Sequence, residues 1–311
     1  MKTFAEEYTF SKAELKVLKE IAKGNSALYL IQTKLSVKPP LITYIIKKLQ
    51  TKSLIKITRK GTKKQATFND TKHAILLKRL LSIYDYVDWE NVLKDKAIEI
   101  LFHLLNDSNK PVNVSRNTFW RYMKDFKSRG IITQEGKVNP QFRNLLDFLE
   151  EYQNFFVQKI VAKLSDTSVI LWQYNWTLLI RTPKTTKVPT KNFHKTALSI
   201  FSLYDLPLFS DFDFYFYSTT KEVVKLEDAA LHTLLLERDN VRYSTYALLL
   251  LKKMEKQIDK IYLLREAKHY GLEKQVKDML EFLQTHIRPD GQPLPTWEEF
   301  AEKAHNYGVM A

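Results

Sequence analysis

The clearest potential for metal-dependent chemistry lies in two aspartates, Asp211 and Asp213, in the second half of the chain. They flank the start of residues 212–217, whose aromatic and apolar composition predicts a β-strand. Alternate residues of a strand share one face, so two carboxylates at this spacing could hold Mg²⁺ ions for phosphoryl transfer. The pair defines the one enzymatic hypothesis that the sequence supports.

Other features of the sequence argue against that hypothesis. Nucleotidyltransferases of the polymerase-β type need a Gly-Ser-rich phosphate loop shortly before such a pair, and the nearest glycines here are Gly136 and Gly271. The seven histidines form no H-x-H, H-x₃-H or H-E-x-x-H arrangement, and the chain has no cysteine. Neither a zinc site nor a thiol nucleophile is therefore expected. We expect no cofactor, no metal and no enzymatic activity, with a nucleotidyltransferase as the least favoured alternative.

The basic residues indicate a different chemistry, the binding of a polyanion. The chain of 311 residues has 49 Lys+Arg and 35 Asp+Glu, for a net charge of +14. Residues 1–90 carry +10, residues 91–160 carry +3 and residues 161–311 carry +1. No acidic residue occurs between Glu20 and Asp70, a stretch with eleven basic residues. Because solvated surfaces normally mix both signs, this segment predicts contact with nucleic acid; a membrane surface or an acidic protein is the alternative.

Hydrophobic periodicity and capping signals predict the elements that would position these cations. Ser11 and Glu14 have the spacing of a capping box, which opens a first helix that ends at Gly24. The second helix has Leu30 and Ile31 on its apolar stripe. The further intervals are helices over 26–35 and 39–53, strands over 54–58 and 65–68 around a basic turn at 59–64, and a helix after residue 70.

Residues 11–81 resemble the DNA-binding domain of winged helix-turn-helix transcriptional regulators of the MarR/ArsR type. The resemblance is carried by residues 35–55, with a Lys-Lys-Leu helix ending and a Ser-Leu-Ile strand entry in which Ser53 replaces the usual glycine. It implies that helix 39–53 enters the major groove of double-stranded DNA and that wing 59–64 grips the phosphate backbone. The residues predicted to contact DNA here are Lys38, Pro40, Leu41, Thr43, Tyr44, Lys47, Lys48, Arg59, Lys60, Thr62, Lys63 and Lys64. For Tyr44, the alternative is an aromatic side chain packed in the core.

A second, shortened copy of this pattern follows. Residues 113–132 contain a predicted helix that aligns with residues 42–55 at an offset of 77, so that Lys124 corresponds to Lys47. The wing that would follow, at 133–137, is shorter and not basic. This copy either touches DNA as well or serves as a structural or dimerisation module. Its residues predicted to contact DNA are Arg116, Arg121 and Lys124.

The composition changes near residue 165 to a mixture of predicted strands and helices. Residues 201–217 hold eight aromatic side chains in seventeen positions; we expect a sheet buried under helices rather than a base-stacking platform. The stretch that begins at Val223 and the stretch Ile261-Tyr-Leu-Leu-Arg-Glu-Ala-Lys resemble the C-terminal region of AbiE-type abortive-infection antitoxins and related nucleotidyltransferase-fold regulators. That resemblance implies a catalytically silent domain, repression of the protein's own promoter and a nucleotidyltransferase-type toxin as partner.

These patterns predict an α+β protein with three domains. They are a winged-helix domain at 1–90, a second winged-helix-like domain at 91–164, and an α+β effector or interaction domain at 165–311 with a helical C-terminus. The predicted function is a sequence-specific double-stranded DNA-binding transcriptional regulator, a repressor that acts as a homodimer. The alternative is an antitoxin that binds its toxin through residues 165–311. Because no signal peptide or spanning segment is recognisable, we expect a cytoplasmic protein without membrane contact.

Overall fold

The computed structural model of the protein describes residues 8–61, 63–105, 114–219 and 221–310. The chain divides into two compact units, Met1–Gln158 and Lys159–Ala311. Helices and strands both contribute, and the α+β class expected from the sequence is confirmed. Within the described ranges, every helix is too short or too polar to cross a membrane.

The first unit starts with three helices, an antiparallel hairpin and a fourth helix. Their bounds are α1 Lys12–Ala22, α2 Leu28–Leu35, α3 Pro39–Thr51, β1 Ile55–Lys60, β2 Lys63–Phe68 and α4 Lys72–Ile83. The capping box expected at the start of α1 is confirmed, because Ser11 Oγ accepts from the Glu14 amide at 3.2 Å and the Glu14 carboxylate accepts from the Ser11 amide at 2.7 Å. Two prolines occupy the first turn of α3, as expected, and the helix ends two residues earlier than expected.

Two local expectations for this segment are wrong. Residues 59–64 do not form a turn, because strand pairing continues through Arg59 opposite Lys64 and Lys60 opposite Lys63. Gly61 follows β1 with a φ of +62°, which suits a tight turn, and Thr62 lies outside the described residues. Leu30 is not on an inner stripe of α2: it is 48% exposed, and Ile31 is the buried residue of that helix.

The rest of the first unit is mainly helical. The bounds are α5 Trp89–Val92, α6 Asp95–Leu105, α7 Arg116–Ser128 and α8 Arg143–Val161, with a short 3-10 turn at Pro140–Phe142 before α8. The hairpin of the second copy is reduced even further than expected, since Ile132 and Val138 form a single antiparallel bridge. The six-residue strands of β1 and β2 therefore have no counterpart in the described part of this copy.

The two copies share the backbone geometry that ends α3 and α7. The amide of Leu54 donates to the carbonyl five residues earlier at 3.0 Å, and the amide of Ile131, 77 positions later, does the same at 2.9 Å. Ser53 and Gly130 precede these residues and both adopt positive φ, +53° and +68°. This left-handed conformation is strained for L-residues and free for glycine, which explains why glycine is usual where the first copy has serine.

The equivalence extends to an asparagine after each hairpin. The backbone amide of Asn69 donates to the carbonyl of Leu54 at 2.9 Å, and its side-chain amide donates to that of Ser53 at 3.2 Å. Asn139 makes the same two bonds to the equivalent carbonyls, at 2.8 and 3.0 Å. Because the second hairpin is shorter, Asn139 follows Asn69 by 70 positions rather than 77, and alignment at a fixed offset does not find the pair.

Helix α8 lies in a core that both copies share. The buried ring of Tyr152 stacks on Phe10, ahead of α1, with centroids 5.4 Å apart, and lies 6.5 Å from the ring of Phe102 in α6. Its hydroxyl donates to the carbonyl of Tyr8 at 2.9 Å. The amide of Asp95, at the start of α6, donates to the carbonyl of Phe10 at 2.8 Å. A common core therefore joins the two copies.

The second unit is built on a four-stranded antiparallel sheet in the order β3-β4-β6-β5. Its bounds are β3 Val169–Tyr174, β4 Thr177–Pro183, β5 Phe193–Lys195, β6 Phe212–Tyr217, α9 Leu226–Leu234, α10 Val241–Lys253, α11 Lys260–Tyr270, α12 Glu273–Thr285 and α13 Trp297–Asn306. The aromatic residues 214–217 of β6 are buried, as expected, whereas Phe209 ahead of the strand is 93% exposed. The core of this unit contains residues of the sheet and of α9–α13.

Candidate nucleic-acid interface

Helix α3 separates an apolar inner face from an outer face that is open to solvent. Ile42, Ile46 and Leu49 are buried as expected, together with Ile45, because residues three and four apart share one side of a helix. Lys48 is half-buried. The predicted DNA-contacting residues that are exposed are Lys38, Pro40, Leu41, Thr43, Tyr44 and Lys47. The outer face of the helix therefore presents polar, apolar and cationic side chains that are open to solvent rather than packed in the core.

Tyr44 is the aromatic residue of this outer face. Its side chain is 46% exposed, so the alternative of a core aromatic is wrong. The Nζ atom of Lys48 lies 5.0 Å from the centroid of the Tyr44 ring, which is within the range of a cation–π contact. An aromatic ring beside a cation can stack on a base or a sugar while the cation binds a phosphate.

The β1–β2 hairpin carries cations that face one another across the two strands. Arg59 lies directly opposite Lys64, and Lys60 directly opposite Lys63. The side chains of Arg59, Lys63 and Lys64 are exposed; that of Lys60 lies outside the described residues, as does Thr62. Like charges directly opposite each other destabilise a hairpin. An anion bound at this end of the hairpin would remove that repulsion.

Helix α2 contributes an aromatic residue that the sequence reasoning missed. The amide of Ala66 in β2 donates to the carbonyl of Ser26 at 2.7 Å, which holds the hairpin against the start of α2. This attachment places Lys63 Nζ 5.1 Å from the centroid of the Tyr29 ring. Tyr29 and Leu30 are 49% and 48% exposed. The position of Tyr29 outside the predicted apolar stripe of α2 is a sequence signal for its exposure, whereas Leu30 was predicted to lie on that stripe.

The structure sorts the eleven basic residues between Glu20 and Asp70. Four of them form ion pairs with three carboxylates: Lys52 with Glu14, Lys56 with Asp70, and both Lys23 and Lys34 with Glu20. Lys52 and Glu14 are both buried, so that pair belongs to the core. The exposed residues that form no ion pair with a described carboxylate are Lys38, Lys47, Arg59, Lys63 and Lys64. The uncompensated charge is therefore concentrated on the outer face of α3 and on the hairpin.

Helix α7 of the second copy also exposes cations. Arg116, Arg121 and Lys124 are exposed, and the guanidinium of Arg121 lies 5.3 Å from the centroid of the Tyr122 ring. Trp120 is 57% exposed, and sequence reasoning did not select it. This outer face combines charge with an aromatic surface, as that of α3 does.

The aspartate pair of the second unit does not form the arrangement that the disfavoured enzymatic hypothesis requires. Asp211 is exposed and lies ahead of β6, so the two carboxylates do not share a strand face. Asp213 is buried, and its carboxylate accepts from Lys195 Nζ on β5 at 2.8 Å. That hydrogen bond raises the pKa of Lys195 above its ordinary value, against the opposing effect of burial. Within the described residues, no group of three or more His, Asp or Glu side chains could hold a metal ion.

Comparison with known proteins adds information on the second unit. Residues 190–309 match the family model described as "HVO_2833_C, C-terminal". This segment is less than half of the chain; it contains β5, β6 and α9–α13 and none of the candidate interface residues. Neither a curated protein nor a solved structure matches the chain.

Proposed function

We propose that the first copy is a winged helix-turn-helix that binds double-stranded DNA sequence-specifically, and that the protein is a transcriptional repressor. The order of α1, α2, α3, hairpin and α4 is the order of that fold. The observation that carries the proposal is the set of exposed cations and apolar or aromatic side chains on α2, α3 and the hairpin, which we call the basic face. It consists of Lys38, Lys47, Arg59, Lys63 and Lys64 with Tyr29, Leu41, Thr43 and Tyr44.

The parts of the basic face fit the two kinds of contact that a regulator makes with duplex DNA. An α-helix fits the major groove, where Leu41 and Thr43 of α3 can contact thymine methyl groups and Tyr44 can reach base edges or sugars. Arg59, Lys63 and Lys64 on the hairpin can bind phosphate oxygens, which relieves their mutual repulsion. Phosphate contacts hold the protein in register, and contacts with bases give it specificity.

The test is binding of fluorescent duplexes measured by anisotropy over a range of salt concentrations. Each phosphate contact that is lost should lower the slope of log affinity against log salt by about 0.9. The double variant Lys63→Ala/Lys64→Ala should therefore lower the slope by about 2 and weaken binding to all duplexes. The double variant Leu41→Ala/Tyr44→Ala should instead reduce the preference for a selected site over random sequence.

A matched control removes two charges elsewhere. Lys260 and Lys274 are exposed lysines of α11 and α12, and their replacement by alanine changes the net charge by the same amount. This control should leave both the slope and the affinity close to those of the unmodified protein. Absence of salt-dependent duplex binding, or equal losses in the control and in Lys63→Ala/Lys64→Ala, would contradict the proposal.

A protein partner for the second unit is the second candidate function. It is favoured by the exposed ring of Phe209, which lines a cleft of about 650 Å³ together with Lys303 and Tyr307. An antitoxin would use such a surface to bind a nucleotidyltransferase-type toxin. Co-purification with the product of a neighbouring reading frame, lost in Phe209→Ser with DNA affinity unchanged, would support this role; retention in that variant would argue against it.

A further inference from the structure

We propose that the second copy is a second phosphate-binding module for the same DNA duplex, so that one chain contacts the duplex at two places. The inference rests on the proposed function of the first copy. It replaces the homodimer expected from the sequence with a pair of modules inside one chain, and it assigns a phosphate-binding cleft beside α7.

The second copy compensates structurally for its missing wing. A cleft of about 350 Å³ lies between α7 and the segment around α5 and α6, and Lys94, Arg121 and Arg129 line it. Tyr122 and Asn91 complete its walls, with Asp125 at one side. Three cations in one concave surface provide what β1 and β2 provide in the first copy, namely several donors for phosphate oxygens.

The cations in this cleft differ in how they are held. Arg129 is fixed by Asp125 at 2.9 Å and by Asp88 at 3.4 Å, so its charge is largely compensated. Lys94 donates to the neutral side chain of Asn91 at 2.7 Å, and Arg121 lies over the ring of Tyr122. Neither Lys94 nor Arg121 forms an ion pair with a described carboxylate. Lys94 and Arg121 are therefore the cations of the cleft that remain for an external anion, beside the group of Arg129, Asp88 and Asp125, whose formal net charge is −1.

Further exposed cations on α7 extend the same charge, since Lys124 lies one turn from the cleft residue Arg121. Arg116 and Lys124 are exposed on α7, and Lys124 occupies the position that Lys47 occupies in the first copy. Trp120, 57% exposed, lies between them in the chain. A cationic cleft continued by two exposed cations and an indole suits an extended polyanion better than a single small phosphate.

The two modules are held at a fixed distance, because they share the core around α8. Tyr152 contacts the start of the first copy through Phe10 and the second copy through Phe102, and Lys72 of α4 forms an ion pair with Glu151 of α8. A fixed spacing lets the second contact form without the loss of freedom that a flexible linker would impose. One chain therefore has the two contacts that a regulator usually obtains by dimerisation.

The experiment compares three double variants of the full chain on long and short duplexes. The cleft variant is Lys94→Ala/Arg121→Ala, and the surface variant Arg116→Ala/Lys124→Ala guards against misfolding of the first; the control is Lys260→Ala/Lys274→Ala. We expect the cleft and surface variants to bind a long duplex roughly tenfold more weakly, with a salt slope lower by about 2. On a duplex that covers only the first module they should bind like the unmodified protein. Sedimentation should show one chain per long duplex.

The outcomes separate this inference from the function on which it rests. If Lys63→Ala/Lys64→Ala weakens binding while the cleft and surface variants do not, the inference is wrong and the function stands. Two chains per duplex at saturation would also overturn it. If millimolar pyrophosphate at constant ionic strength stabilises the protein through the cleft without competing with duplex, the cleft is a small-anion site instead. If the unmodified chain binds no duplex, both proposals fail.

Discussion

The two copies in the first unit end their central helices in the same way but carry different surfaces. In both, a residue with positive φ follows the helix, and an asparagine after the hairpin donates to the carbonyls of that residue and of the next one. The first copy then extends a hairpin with cations opposed across the strands, whereas the second has one bridge and a cationic cleft. The backbone frame is thus separable from the chemistry that it presents, and the hairpin is the part that differs most.

The interiors of the two copies differ as well. Lys52 of the first copy is buried and pairs with Glu14 of α1. Arg129, 77 positions later, instead pairs near the surface with Asp125 and Asp88. The equivalent position therefore holds a buried, paired cation in one copy and a cation near the surface in the other.

The largest expected effect comes from the buried pair. Lys52→Met leaves the Glu14 carboxylate buried without its cation, which should lower the free energy of unfolding by about 3–5 kcal/mol. Glu14→Leu/Lys52→Met removes both charges and should cost much less. Urea unfolding followed by circular dichroism measures both variants. Equal losses in the single and double variants would show that the pair does not act as an ionic unit.

The residues with positive φ give the next effect, with opposite signs in the two copies. Gly130→Ala should destabilise by about 1–2 kcal/mol, because alanine is strained at φ +68°. No atom lies within 4 Å of the added Cβ, so the cost comes from the backbone alone. Ser53→Gly should stabilise by up to about 1 kcal/mol for the same reason. Thermal unfolding of both variants tests this, and a loss of stability in Ser53→Gly would contradict it.

The two asparagines should behave alike if the copies are equivalent. Asn69→Ala and Asn139→Ala each remove the side-chain hydrogen bond to a carbonyl and the one that the side-chain oxygen accepts from a following backbone amide, at a cost of about 0.5–1.5 kcal/mol for each bond. Denaturation midpoints of the two variants provide the comparison. A cost in only one of them would break the equivalence, and Asn154→Ala, at an exposed position in the middle of α8, serves as the control.

The smallest effect is a pH dependence due to a buried histidine of the first copy. Burial lowers the pKa of His73 below its ordinary value of 6.5, although the hydrogen bond to the Lys52 carbonyl and the charge of Glu151 oppose this. The unfolded chain therefore binds the proton more tightly, so stability is complete above pH 6.5 and falls below it. His73→Gln keeps a hydrogen-bond donor near that carbonyl. It should reduce the dependence of the melting temperature on pH between about pH 7 and about pH 5.

His103 of the second copy is the comparison for this experiment. Burial lowers its pKa as well, so it contributes a loss of stability in acid with the same sign. His103→Gln should remove its own part of the pH dependence and leave the part due to His73. An unchanged pH profile in His73→Gln would show that His73 titrates alike in the folded and unfolded chain.

Much of the first unit could be predicted because its signals are local. The capping box of Ser11, the proline-started helix and the buried stripe of α3 each depend on residues within a few positions of one another. The exposed positions of α3 followed from the same periodicity. Two expectations were wrong: the turn at 59–64 and the inner position of Leu30. They concern charged or short segments, in which hydrophobic periodicity does not tell a strand from a turn or a buried position from an exposed one.

The composition of the candidate interface could not be predicted in full, because it depends on distant partners. Lys52 is removed from it by Glu14, 38 positions away, and Tyr29 joins it because β2 is attached to the start of α2. The ion pair of Asp213 could not be predicted for the same reason, since its partner Lys195 lies on another strand. The match of residues 190–309 to a family model bears on a different part of the chain.

The sequence by itself determined where the net charge lies and which face of α3 is apolar, because both are properties of composition and spacing. Only the tertiary structure decided which cations stay uncompensated and which lie in the core, because ion pairing joins residues far apart in the chain. It also decided that a shared core around Tyr152 joins the two copies. That arrangement turns a repeated pattern into two surfaces held at one fixed spacing.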